Sequence, residues 1–280
     1  MLPSTITAVS HWRQMYRSQP SIGAILSSPS HSPTADAPES VQERIASLLA
    51  SLAHTGELMT EQVDLPDTSI TMEVTRPIDT NRLLDQAVDD PEQNLPYWAE
   101  IWPSGIALAS AIARQPHLIA GRRVIELGCG VGITAAMANA AKARLTAIDY
   151  APESLILTRV TTLRHTGREP ESLLQANWRS PSLRQLAEQE PFAVALVADA
   201  LYERRDVVPL IEAIDMLLAN DGILWLAEPG REPAREFLST LKTLGWHTES
   251  THWAGPWPDP KDAGVTVRTH LLRRHQPSRS

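Results

Sequence analysis

From Gly121 onward, short apolar runs alternate with helix-like segments, and few folds accommodate that rhythm. Strands are expected at 123–127, 145–148, 172–176, 193–198 and 223–227. Between them come an alanine-rich helix at 133–143, a helix opened by Pro152 and closed by Gly167, and another at 207–218. A further helix at 233–244 stops at Gly245, and two last strands, 246–251 and 265–273, follow with no helix between them. Parallel neighbours need long crossovers, so this order predicts an α/β fold. The expectation is a Rossmann-like, doubly wound, mostly parallel seven-stranded sheet with helices on both faces and a C-terminal antiparallel hairpin.

The first 120 residues read differently. Residues 1–40 are rich in serine and proline and poor in large apolar side chains after Ile25, so burial cannot offset the entropy of ordering them. They are read as a disordered leader. Two arginines, Arg13 and Arg17, with no acid before Asp36, are also a composition of mitochondrial targeting segments. The mitochondrion is therefore the minority alternative to a cytoplasmic location. A helical stripe at 41–54 (VQERIASLLASLAH), an alternating strand at 69–75 (SITMEVT) and an acidic loop at 85–94 form a helical and strand extension. The expected boundaries are 1–40, 41–120, 121–275 and a tail at 276–280.

Composition narrows the partners. The 280 residues carry a net charge of −8, the wrong sign for a phosphate backbone, so no nucleic acid is expected. A lone cysteine, Cys129, excludes an internal disulfide and a multi-cysteine metal site. No histidine pair stands at ligand spacing, so no metal is expected either. The longest apolar run, 192–198, is stopped by Asp199 far short of the ~20 residues a bilayer needs, which argues against a membrane partner. Nothing in the sequence sets the oligomeric state.

In a doubly wound sheet, ligands bind outside the carboxyl ends of the strands. Those positions carry Glu126-Leu-Gly128-Cys-Gly130-Val-Gly132, Asp149-Tyr150, Asn177-Trp178, Asp199-Ala-Leu-Tyr202 and Glu228-Pro229-Gly230. The glycines admit a ligand close to the backbone, beside the free N–H groups of a helix start. Asp149 ends the next strand at the spacing where a carboxylate reaches both hydroxyls of a ribose. A dinucleotide site would have a third glycine at position 133, where this chain has Ile133. Glu126, two residues before the first glycine, suits an ammonium group better than a pyrophosphate. Both departures point away from NAD.

The pattern Glu-x-Gly-x-Gly-x-Gly at 126–132, with Asp149, resembles the S-adenosylmethionine site of class I, seven-β-strand methyltransferases. Residues 95–105 (LPYWAEIWPSG), Asn177-Trp178-Arg179 and Asp199-Ala-Leu-Tyr202 resemble the lysine methyltransferase family more narrowly. That group includes the enzymes acting on lysines of the electron-transfer flavoprotein β-subunit and of chaperones, and is related to nicotinamide N-methyltransferase-like proteins. The likeness spans roughly residues 60–275. It implies S-adenosylmethionine as cofactor, with the Gly128 and Gly130 backbone along its methionine and ribose. Glu126 would meet the methionine ammonium, Asp149 the ribose, Asn177 the adenine edge and Trp178 the face of the base. Trp102 would close over the cofactor from the N-terminal side, while Asp199 and Tyr202, the implied catalytic residues, would face the transferred methyl. The implied reaction is N-methylation of a protein lysine. The alternatives are a small-molecule amine or natural product as acceptor, and a non-catalytic module that only binds the cofactor.

Each of these residues also has a plainer role open to it. Trp98 and Trp102, four apart, would share the core face of a helix if one ran there. Trp178 could be core packing, and Asp199 could cap the turn after it. Cys129 reads as the small residue a tight turn needs. The segment Glu228-Pro229-Gly230-Arg231 is either an acceptor-side loop or a strand exit.

Overall fold

The structure, a computed structural model, describes residues 39–87 and 95–275. The expected leader up to position 38, positions 88–94 of the acidic stretch and the tail at 276–280 lie outside the described residues. Helix α1 (Val41–Ala50) starts on a reciprocal cap: Ser40 accepts the Glu43 N–H, and the Glu43 carboxylate accepts the Ser40 N–H. Ser40 therefore belongs to the folded extension rather than to the leader. An antiparallel hairpin follows, β1 (Leu58–Asp64) and β2 (Thr71–Pro77). Helices α2 (Thr80–Ala87) and α3 (Pro103–Arg114) complete the extension. The acidic stretch is thus helical as far as Ala87 instead of loop from position 85.

The remainder alternates as expected: β3 (Arg123–Leu127), α4 (Ile133–Ala140), β4 (Arg144–Asp149), α5 (Pro152–Thr166) and β5 (Ser172–Gln175). Then come α6 (Ser182–Ala187), β6 (Phe192–Ala198), α7 (Val207–Leu217), β7 (Leu218–Glu228), α8 (Glu232–Thr243), β8 (Trp246–Trp253) and β9 (Val267–Arg274). The seven strands β3–β9 lie in the order β5-β4-β3-β6-β7-β9-β8. The pairs among β3 to β7 are parallel, and β9 runs antiparallel between β7 and β8. This is the expected Rossmann-like, doubly wound, mostly parallel seven-stranded sheet with a C-terminal antiparallel hairpin.

Both faces of the sheet are covered around β3, β4, β6 and β7, which is why these strands are mostly apolar and buried. On one face Val124, Leu196 and Trp225 pack with Ile106 and Ile112 of α3 and Ile133 of α4. On the other, Ile125, Val197 and Leu226 pack with Leu183 of α6, Leu210 of α7 and Phe237 of α8. Helix α1 and the hairpin are held against α5, through Leu48 with Val160 and Leu163, and through β2. The Asn220-Asp221-Gly222 turn differs from expectation. Phe192 pairs with Leu218 and Val194 with Ile223, so these residues bulge within a longer β7 rather than precede it.

Gly132, the residue before α4, has φ +84, and a Cβ there would lie 2.5 Å from the Thr158 Cα on α5. The contact brings α5 against the turn between β3 and α4. Gly132→Ala should therefore cost about 2–4 kcal/mol, combining left-handed strain with overpacking. Gly121→Ala, at φ +71 with nothing within 4 Å, should cost only about 1 kcal/mol. Urea unfolding of the two variants checks the difference.

Candidate functional site

Four neighbouring strands, β4, β3, β6 and β7, each bring an acid to the carboxyl edge: Asp149, Glu126, Asp199 and Glu228. Their relative exposures are 4%, 1%, 9% and 2%. Burying a carboxylate is costly unless it is paired or hydrogen-bonded, so its partners are informative. Glu228 Oε1 lies 3.0 Å from Arg268 Nε and 3.0 Å from His270 Nε2, while Oε2 accepts the Gly230 N–H. Burial pushes its carboxyl up, but hydrogen bonds from His270 and Gly230 and the Arg268 charge hold it below the usual range. Asp199 receives Arg231 Nε on Oδ1 at 3.1 Å and Ser104 Oγ on Oδ2 at 3.1 Å. Burial still leaves its carboxyl above the ordinary value, with Arg231 opposing the rise.

The other two acids have no ion-pair partner among the described residues. Asp149 accepts Gly130 N–H at 2.9 Å and Ala151 N–H at 3.1 Å; these bonds, the Ser154 hydroxyl and the Tyr150 backbone favour its charged form, but burial outweighs them and raises its pKa. Glu126 lies on the same face of the sheet, paired with Ala147 two residues before Asp149. Its Oε2 is buried without a hydrogen bond. Burial first, then the Asp149 charge, push its carboxyl well above the usual range. The two carboxyls of this edge without a counter-charge among the described residues therefore sit under the glycine turn.

That turn is walled by aromatic groups. Gly128 and Cys129 both donate N–H to the Ile148 carbonyl, binding the exit of β3 to β4. A Cβ at Gly128 would lie 3.7 Å from the Trp178 ring, and one at Gly130 would lie 3.6 Å from the Trp98 carbonyl. Trp178 thus flanks the turn, and the 95–102 segment crosses it. A narrow cleft beside it is lined by Leu95, Tyr150, Asn177, Trp178, Tyr202 and Asp206, among others. Trp178 Nε1 donates to Asp206 at 3.2 Å, and Asn177 Oδ1 accepts the Arg179 N–H at 2.8 Å, which shapes the loop after β5. The Tyr202 ring meets Tyr97 at 4.4 Å between centroids, and Tyr97 meets Trp102 edge-on at 6.1 Å. Burial, with Asp206 and Asp149 nearby, pushes the Tyr202 phenol above its ordinary value, so it stays protonated at neutral pH.

The structure brings Glu126, Gly128, Gly130 and Asp149 together and sets Asn177, Trp178 and Tyr202 around the adjoining cleft. Trp102 stands behind Tyr97, with Nε1 on the Tyr97 carbonyl at 2.8 Å. It is the N-cap of α3, and Trp98 lies in a separate 3-10 turn, so the two do not share a helix face. Asp199 directs its oxygens to Ser104 and Arg231 rather than capping the turn after it. Cys129 is buried, its thiol pushed up chiefly by burial, as befits a small turn residue. Sequence reasoning missed Tyr97 and Ser104, although both stand inside the 95–105 segment it singled out. It also missed Asp206, for which no local signal existed, and left Arg231 undecided.

A family model described as lysine methyltransferase matches residues 90–244, over half of the chain. The chain belongs to the lysine methyltransferase family. It is 42% identical over 66 residues to the electron transfer flavoprotein beta subunit lysine methyltransferase of Danio rerio, covering 23% of this chain and 26% of that protein. It is 30% identical over 163 residues to a ubiquinone biosynthesis O-methyltransferase of Xanthomonas campestris pv. campestris (strain B100), covering 55% and 63%. The chain thus spans less than two thirds of the length of these relatives. The N-methyltransferase NodS of Bradyrhizobium japonicum WM9, solved with S-adenosyl-l-homocysteine, shares the fold at a TM-score of 0.50 and 18% identity, over 70% of this chain and 99% of that one.

S-adenosylmethionine is the methyl donor of this family, and the residues present fit it. A sulfonium cofactor with an ammonium group is cationic at the methionine end, and the orphaned Glu126 oxygen offers an acceptor there. Among the described residues no helix is long and apolar enough to cross a membrane.

Glu126 also has a stability signature. Its folded pKa lies above the ordinary 4.5, so the folded state holds this proton more tightly than the unfolded one. Its contribution is most favourable below that value and declines as pH climbs toward the raised one. Glu126→Gln should remove that decline and make the ligand-free protein about 1–2 kcal/mol more stable at neutral pH. Denaturant unfolding of both proteins across pH should show the gap widening as pH rises.

Proposed function

We propose that the protein transfers the methyl group of S-adenosylmethionine to the side-chain nitrogen of a lysine in a partner protein. The observation that carries this reading is the Ser104–Asp199 hydrogen bond, 3.1 Å long across 95 positions of sequence. It joins the two family-like segments, 95–105 and 199–202, at the carboxyl end of β6, and the same two segments bring Leu95 and Tyr202 to the cleft. S-adenosylmethionine, when bound, supplies a methyl group on a positively charged sulfur.

In this reading Gly128 and Gly130 line the cofactor with backbone, and Glu126 takes the methionine ammonium. Asp149, at the carboxyl end of β4 and bonded to the Gly130 N–H of the turn, takes the ribose hydroxyls. Asn177 and Trp178 meet the adenine, and Trp102 backs the N-terminal cover through Tyr97. A lysine ammonium, with an ordinary pKa of about 10.4, must release its proton to the solvent as it leaves water and before it can attack. Tyr97 and Tyr202 exclude water around it, which favours the neutral amine. The Tyr202 hydroxyl, held protonated, accepts a hydrogen bond from that amine and turns its lone pair toward the methyl group. Asp199, matched by Arg231, sets the position of Ser104 and of the chain leading to Tyr202.

The longer match to ubiquinone biosynthesis O-methyltransferases favours a second reading, a small-molecule acceptor. Isotope-labelled cofactor incubated with the protein and fractionated lysate separates the two. Label recovered as methyl-lysine after protein hydrolysis supports the first reading, and label confined to small molecules supports the second. Asp149→Ala should weaken S-adenosylhomocysteine binding by about 1.5–3 kcal/mol in calorimetry. Tyr202→Phe should leave that affinity nearly intact while turnover on the labelled acceptor falls by about 10²-fold.

A further inference from the structure

The segment after β7 is anchored at one end and reaches into the site at the other. Arg268 and His270 fix Glu228, which in turn accepts the Gly230 N–H two residues on. The next residue, Arg231, points back across the strand ends. Its Nε donates to Asp199 Oδ1 at 3.1 Å, and its guanidinium carbon lies 5.6 Å from the centre of the Trp102 ring. The other Asp199 oxygen accepts Ser104 Oγ at 3.1 Å. Trp102 caps α3 and Ser104 is its second residue, so Arg231, Asp199, Ser104 and Trp102 close a circuit between three elements. Asp199 holds its end with φ +50, a conformation aspartate tolerates better than most residues.

We propose that Arg231 is a positioning residue for the cofactor cleft: by bridging Asp199 and the Trp102 ring, it locks the start of α3 against the carboxyl end of β6. The consequence for the cleft runs through packing. Trp102 backs Tyr97, Tyr97 meets Tyr202 on the cleft wall, and the Trp98 carbonyl lies over Gly130. Loosening α3 therefore loosens the cover of the glycine turn.

The bridge is also pH-sensitive in a definite direction. Asp199 faces Arg231 from the loop after β7, Glu228 from the end of β7 and Ser104 from α3; Glu126 is carried by the neighbouring strand β3, and Asp262 of the turn between β8 and β9 also feels the Arg231 charge. Burial drives the Asp199 carboxyl up and Glu228 adds to that, while Arg231 and Ser104 pull it down. Without Arg231 the carboxyl takes up a proton at higher pH, and the link to α3 weakens under conditions where the wild type keeps it.

The inference rests on cofactor binding and not on the identity of the acceptor, so it stands or falls separately from the lysine reading. The test is calorimetric titration of the full chain with S-adenosylhomocysteine across about pH 5 to 8. Arg231→Ala should bind about tenfold more weakly near pH 7, with the acid limb of binding moved to higher pH. Arg231→Lys keeps a charge at Asp199 but loses the planar stack on Trp102. It should restore the wild-type acid limb and bind only about threefold more weakly. The double variant Asp199→Asn/Arg231→Ala should lose no more affinity than the weaker-binding single variant, because both changes break one bridge. Wild-type affinity in folded Arg231→Ala, an unmoved acid limb, or losses that add in the double variant would overturn the proposal. Should the alanine variant fail to fold, Arg231→Lys decides alone: reduced affinity with an intact acid limb supports the clamp, and wild-type affinity overturns it.

Discussion

Four carboxylates buried side by side along one sheet edge repel one another, and the site is organised by how that cost is met. On β6 and β7 it is met within the protein, by Arg231 on Asp199 and by Arg268 and His270 on Glu228. On β4 and β3 it is met only in part. Asp149 has backbone N–H donors, and one Glu126 oxygen has no hydrogen bond. The edge is therefore divided into a charge-matched half and a half that favours a cationic ligand. A family whose donor is a sulfonium compound makes sense of the second half. The same division explains why the glycine turn and Asp149 are bonded to each other: the Gly130 N–H stabilises the Asp149 charge and holds the turn against β4.

The extension at the N-terminal side is coupled to this edge through α5. Its hairpin and α1 rest on that helix, where Arg164 also reaches the Thr75 hydroxyl. Helix α5 in turn presses on Gly132 and gives Ser154 Oγ to the Gly130 carbonyl at 2.8 Å. The glycine turn is thus supported from below by α5 and crossed from above by the 95–102 segment. Neither support belongs to the parallel sheet itself, yet both bear on where a ligand's backbone contacts would lie.

How legible these features were follows from the physics of each. Strands β3, β4, β6 and β7 carry buried apolar residues on both faces, so they stand out from their surroundings, and topology then places their carboxyl ends without further information. That is how Glu126, Asp149 and Asp199 were found together. Strand β1 (LMTEQVD) escaped notice because only Val63 in it is fully buried, which leaves no clear alternation to read. Asn220-Asp221-Gly222 carries turn chemistry, but pairing to β6 on both sides of it absorbs it as a bulge. The clamp was illegible for a different reason. Arg231 meets Asp199 across 32 positions and Ser104 meets it across 95, and such contacts depend on the path of a loop rather than on any local pattern. The same holds for Asp206, recognisable only once Trp178 and Arg179 are seen to donate to it.

The charge-matched half bears on how a lysine acceptor would be activated. Keeping a lysine neutral at pH 7 costs about 4.6 kcal/mol from its ordinary pKa. Removing it from water moves that pKa by up to about 3–5 units, enough to cover the cost without a strong base. Tyr202 is a poor base in any case, since burial holds its phenol protonated. An unmatched carboxylate at the mouth would work against this route, because it would stabilise the ammonium and hold the proton in place. Under the proposed lysine reading, Arg231 would remove that obstacle by pairing with Asp199. Asp199 would then serve as a fixed point for α3 and for the chain leading to Tyr202 without trapping the acceptor in its unreactive form. With the methyl donor already activated by its own charge, what remains for the protein is alignment and exclusion of water, and both depend on the aromatic cover staying in place.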